Sequence, residues 1–250
     1  MEKSKKNWQL VYAIGMAGLG THCLVYQDFI VGRPPAWPVG VEVNPLLAYI
    51  SGTALIFAAI AIVLNKKETI AALVIAGLIF LLTLALRHLP NLMVDWVNTY
   101  KSLALAGGAL IVAGASDGNS LSENVKKNLL MIGSICVTAF FVAAGYAHFK
   151  WANGVQSLIP AFIPFRLFWT YFCGVCLVAG GIGILIPPIR KLAALLSGIM
   201  ITGFFFLFHI PRFLADVHDK SDRLGVFESF AIAGIFFVLA QEFSLSKKRI

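Results

Sequence analysis

The chain has 250 residues, 59% of them hydrophobic and only 13% charged, with 20 Lys and Arg against 12 Asp and Glu. A water-soluble domain carries about 25% charged residues, so this composition excludes a soluble globular protein and points to a polytopic membrane protein. The formal charge of +8 is spread over connectors and not gathered on one polar face, which excludes nucleic-acid binding.

The N-terminal "MEKSKKNWQLVYAIGMAGLGTHCLVYQ" begins like a signal peptide, but its apolar run is too long and no small-x-small cleavage site follows. It reads as an uncleaved first transmembrane helix over 8–27. Seven further apolar segments follow, at 45–64, 69–89, 99–115, 128–149, 166–186, 190–210 and 226–243. About twenty residues at 1.5 Å rise cross a ~30 Å hydrocarbon core. Backbone groups in lipid must be satisfied within their own segment, so each run is expected to be a helix. Lys3, Lys5 and Lys6, the pairs 66–67, 126–127 and 190–191, and the basic 247–249 fall on one side. That side holds twelve basic residues against five acids, and the other eight against seven. The positive-inside rule therefore places both termini in the cytoplasm of a bacterial inner membrane, with the longer connectors 28–44, 90–98, 150–165 and 211–225 outside.

The sequence repeats itself. His22 precedes "GRPPAWP" as His148 precedes "LIPAFIP", and Pro34 and Pro38 fall on Pro160 and Pro164 at the same offset. "AYISGTALIFAAIAIVL" (48–64) aligns with "TYFCGVCLVAGGIGILI" (170–186), and "LRHLPNLMVD" (86–95) with "LFHIPRFLAD" (207–216). The expected architecture is all-α: eight transmembrane helices as two parallel-related four-helix bundles. They divide as a first repeat over 1–116, a cytoplasmic linker over 117–127 and a second repeat over 128–250. Small residues in "AGGALIVAGA" (106–115) and "VAGGIGIL" (178–185) predict close helix packing. Trp37, Trp96, Trp151 and Trp169 predict an interfacial girdle.

The stretch 143–211, with a Gly-x-x-His-Phe end to one helix, a Pro-rich loop and a Gly-rich second helix ending in Pro before a basic turn, resembles the DoxX/DoxD-like membrane proteins. The second repeat carries most of the match. The resemblance implies four-helix units, some of which are subunits of thiosulfate:quinone oxidoreductases while others associate with redox or detoxification systems. The family pattern leads one to expect an acid just after "GV" in the second helix, where this chain has Leu177, and Leu55 in the first repeat.

Two constellations are candidates for chemistry. His22, His88, His148 and His209 all fall at outer helix ends, and ionisable groups at membrane depth tend to be buried and functional. Neutral imidazole suits haem iron, Zn or Cu, or one edge of a quinone. The alternative is an interfacial cap on a carbonyl freed by the following proline. No carboxylate is spaced within the membrane to orient these imidazoles. Arg87, Arg166 and Arg212 lie beside them, fit to clamp an oxygen bidentately or to snorkel to headgroups. The second constellation is "CGVC", whose Cys173 and Cys176 share one helical face. A thiol–disulfide exchange there needs a thiolate and an electron acceptor. Against it, the first repeat has Ser51 and Ala54, Cys23 is the one other thiol nearby, and a cysteine in an apolar helix ordinarily acts as a small hydrophobe. Asp216, Asp219 and Asp222 with His218 read as a solvated loop. The expected partners are the lipid bilayer, a quinone, and a membrane or periplasmic protein.

Overall fold

The computed structural model describes residues 2–28, 45–117 and 121–246, and among them every regular element is helical. The prolines 34, 35 and 38 and Trp37 lie outside the described residues. In chain order the helices are α1 (Glu2–Tyr26), α2 (Pro45–Val63), α3 (Glu68–Asn91), α4 (Trp96–Ala115), α5 (Glu123–Lys150), the short α6 (Ala152–Leu158), α7 (Arg166–Gly183), α8 (Arg190–Ala215) and α9 (Lys220–Ser246). Six of them (α2, α3, α5, α7, α8 and α9) are long and apolar enough to cross a membrane. α1 and α4 are the other two long helices, with 25 and 20 residues. The turn α6 interrupts a stretch expected to be a plain connector.

Local chemistry accounts for the helix ends. Ser122 caps α5, its hydroxyl accepting from the Val125 amide at 3.4 Å, with Glu123 next in the first turn. Asn65 and Lys67 take left-handed backbone (φ 54 and 53), which folds α3 back on α2 within four residues. α3 and α8 share a further feature: the backbone widens to π register over Ile79–His88 in one and Phe205–His209 in the other. Each stretch ends on a histidine two residues before a proline, Pro90 or Pro211. A proline lacks the amide that would continue the ladder, and its ring displaces the carbonyl four residues back.

The long helices close into one ring: α1 packs on α2, α2 on α3, α3 on α4, α4 on α5, α5 on α7, α7 on α8, α8 on α9, and α9 back on α1. α4 and α9 also meet across the middle. The halves 1–116 and 128–250 are therefore not self-contained bundles. The last helix of each half lies along the first helix of the other, so the core is shared. The reason is small residues. Gly107 of α4 faces Gly133 and Cys136 of α5, and Gly108 faces Ile235 of α9. On α1, Gly15 and Gly18 face Ala231 and Phe227 of α9, while Gly20 meets the Gly52 backbone of α2. These contacts exclude even a methyl group at most of these positions, and close backbone approach replaces the missing hydrophobic drive between helices in lipid. α4 is buried from Ala104 to Ala109 on every face, as expected of a helix apolar all round. α7 and α8 instead turn Phe168, Phe172, Leu192, Leu196 and Phe206 outward, an apolar surface suited to lipid.

Candidate functional site

One end of the ring brings the candidate histidines and arginines together with several carboxylates. α1 brings His22 and Tyr26 there, and Gln27 (φ 53) turns the chain so that Asp28 follows at once. α3 ends there with Arg87 and His88, and α4 and α9 begin there. Arg87, 3% exposed, donates from Nη1 and Nη2 to the two Asp28 carboxylate oxygens at 3.1 and 3.5 Å. His88, fully buried, has Nδ1 3.9 Å from Asp95 Oδ2. The Thr99 hydroxyl donates to the His88 and Asp95 carbonyls, and Asn98 donates to Asp95 Oδ1 at 2.8 Å. Burial raises the Asp95 carboxyl above its ordinary 3.8, against the hydrogen bond from Asn98 and the charge of His88. Two turns further in, Lys101 of α4 and Glu228 of α9 pair at 3.0 Å, Glu228 being 3% exposed.

His22 sits at the centre of these charges. It is 6% exposed, neither ring nitrogen has a hydrogen-bond partner, and its ring lies 4.5 Å from that of Tyr26. Arg223 covers the Tyr26 ring at 4.2 Å, and Lys220 approaches it at 5.3 Å.

The four histidines occupy four different interfaces. His22 lies between α1 and α9, and His88 between α3 and α4. His148 lies between α5 and α7, where its Nδ1 donates to the Ala144 carbonyl at 2.7 Å and its Cβ faces Gly174. His209 lies between α8 and α9, packed edge-on to Phe208 in the space left open by Gly225. His148 thus caps a carbonyl one turn back. Arg212 donates to Asp222 Oδ1 at 2.8 Å and to the Leu158 carbonyl, on the His209 side of α9. Arg166 is exposed at the start of α7 and joins none of these groups. Cys173 and Cys176 are free thiols on α7; Cys23 packs at Gly52 on α2 and Cys136 at Gly107 on α4. Among the described residues no group of three or more His, Cys, Asp or Glu is placed to hold a metal ion.

Asp95 faces His88 from the turn between α3 and α4, outside both helices, with Oδ2 3.9 Å from Nδ1 and beyond hydrogen-bond distance. The residues the sequence reading passed over are Asp28, Lys101, Arg223 and Glu228. Lys101 and Glu228 were signalled: Lys101 is the lone charge in the segment read as spanning 99–115, and Glu228 is one of two acids, with Glu242, in that read as 226–243. Arg223 and Tyr26 carried no such sign, because they meet only when α1 packs on α9.

A family model described as a domain of unknown function (DUF8561) matches residues 137–223, from the middle of α5 to the first turn of α9. No curated protein and no solved structure matches the chain.

Proposed function

We propose that this chain is a DoxX-like protein of the bacterial inner membrane that serves a quinone-linked redox process as a subunit or accessory. In this reading all eight long helices cross the bilayer, both termini and the basic loops are cytoplasmic, and the histidine end faces outward. The two halves are parallel repeats about an axis near the membrane normal. The reciprocal packing of α4 on α5 and α9 on α1 supports that relation, as do the matching π-to-proline ends of α3 and α8.

The observation that carries the functional reading is His22, an imidazole buried in an apolar bundle with no hydrogen-bond partner at either ring nitrogen, beside the ion pairs Arg87–Asp28 and Lys101–Glu228. A buried polar group left without a partner costs about 1–3 kcal/mol, which a ligand's hydrogen bond offsets. A quinone carbonyl accepts from an imidazole N–H, and Tyr26 offers a flat ring beside it. Bound quinone would supply two-electron acceptor chemistry; the chain's part is to hold the headgroup through His22 and to keep water away by burial. Arg87, anchored by Asp28, fixes the end of α3 next to it. Haem fits less well, since bis-imidazole ligation needs two histidines facing one gap and these four face four.

An oxidised-minus-reduced ultraviolet–visible spectrum of the protein purified in mild detergent tests the reading. A quinone-like ultraviolet change that is lost in His22→Ala is the expected result. A flat difference spectrum, with quinone added back, would remove the redox role and leave a membrane scaffold.

A further inference from the structure

We propose that the Arg223 guanidinium is a receptor for the carboxylate of a small organic acid at the histidine end of the bundle, beside Tyr26. The proposal rests on reading that end as a ligand site, and it does not rest on the quinone linkage.

Arg223 stands in the first turn of α9 with its donors divided in two. Nη1 donates to the Val217 carbonyl at 2.7 Å, which fixes the plane of the guanidinium. Nε and Nη2 are buried and have no hydrogen-bond partner. Those two N–H groups lie on the same edge of the guanidinium and point in parallel, the spacing that matches the two oxygens of a carboxylate. The guanidinium rests on the Tyr26 ring, so its orientation is held from the side as well as from the end.

Charge balance points the same way. Among the surrounding carboxylates Asp28 pairs with Arg87, Glu228 with Lys101 and Asp222 with Arg212, Asp95 accepts from Asn98, and Asp216 and Asp219 accept the backbone amides of His218 and Asp222. Arg223 and Lys220 have no carboxylate partner among the described residues, and both approach one face-forming ring. Two N–H groups held out of water without an acceptor are costly, and a monocarboxylate from outside the chain supplies both acceptors. His22 meets the same ring and adds a hydrogen-bonding group at the rim of the site. The tyrosine ring makes an organic acid, whose body stacks on it, a better fit than a hydrated inorganic anion. The acid has two sources, water or the headgroup of a fatty acid in the bilayer.

The test uses the full chain in phosphatidylcholine nanodiscs, titrated by calorimetry and thermal unfolding with benzoate, with laurate, and with sulfate at matched ionic strength. The expected result is saturable binding of a carboxylate and none of sulfate. Arg223→Lys, which keeps the charge and removes the fork, should weaken it about tenfold or more, and Lys220→Gln by less. Benzoate binding identifies a free acid; laurate binding alone identifies an acid from the bilayer. Equal response to sulfate and carboxylate in the wild-type chain overturns the proposal even if the Arg223 variant fails to fold. So does unaltered benzoate or laurate affinity in Arg223→Lys. Carboxylate binding with a flat redox spectrum keeps this site and removes the quinone reading; a quinone spectrum without carboxylate binding does the reverse.

Discussion

The Lys101–Glu228 pair ties α4 to α9 in the middle of the ring, and its removal one partner at a time separates its attraction from its desolvation. The atoms are 3.0 Å apart, with the side chains 21% and 4% exposed. At an effective dielectric of ~20 that separation corresponds to an attraction of about 5 kcal/mol, most of it offset by taking both charges out of water. Deleting one partner leaves the other charge buried, at a cost of roughly 3–5 kcal/mol. Lys101 reaches the surface with a fifth of its side chain, so Glu228→Leu should fall near the lower figure, about 3 kcal/mol. Lys101→Met strands the nearly inaccessible carboxylate and should cost about 4–5 kcal/mol. The double variant removes both charges, fills the space with apolar atoms, and should lose only about 1 kcal/mol or less. Unfolding in mixed micelles, followed by tryptophan fluorescence, gives all three values and closes a double-mutant cycle. If the double variant loses the sum of the two single losses, the pair does not hold α4 to α9 and the account of the shared core fails.

Two further outcomes follow from the packing and the charges. Gly133→Val should destabilise by about 1–3 kcal/mol, because its side chain would meet the Gly107 carbonyl and Ile111, whereas Gly77→Ala, with no atom within 4 Å of the new methyl, should gain about 0.5–1 kcal/mol; the same unfolding assay reads both. Asp95 has a carboxyl raised by burial, so the fold favours its protonated form. Its stabilising contribution is complete below the ordinary value of 3.8 and is lost as pH rises through the higher folded value. The melting temperature of the wild-type chain should therefore fall relative to Asp95→Asn from pH 4 upward, and parallel curves would refute the assignment.

Period and length made the helices legible: the segments expected at 45–64, 128–149 and 166–186 coincide closely with α2, α5 and α7. The ends were less legible: "HLP" and "HIP" lie where α3 and α8 leave π register, but α8 continues to Ala215, past the end expected at 210. What the repeat did not show is which helix packs on which. A two-fold repeat is satisfied either by two closed bundles or by one interlocked ring, and both present the same hydrophobic pattern. The choice lies in where the glycines face. Gly107 and Gly108 are neighbours in sequence, but a helix turns about 100° per residue, so one approaches α5 and the other α9. That single step draws α4 to the centre and carries the second half's last helix onto α1.

The site depends on that same interlocking. Read within each half, the histidines look like four equivalent caps, and His148 is one. His22 differs because its neighbours come from the far end of the chain: Arg223 and Lys220 reach Tyr26 only because α9 lies against α1. At the corresponding end of α5, Trp96 from the first turn of α4 meets Tyr146 and Trp151, and Lys150 lies over both of those rings. The α5 end thus carries exposed aromatic rings, and the α1 end carries Arg223 Nε and Nη2 without a hydrogen-bond partner. The His22 end differs from the His148 end because α9 brings Arg223 and Lys220 to the Tyr26 ring, while the His148 imidazole is spent on the Ala144 carbonyl.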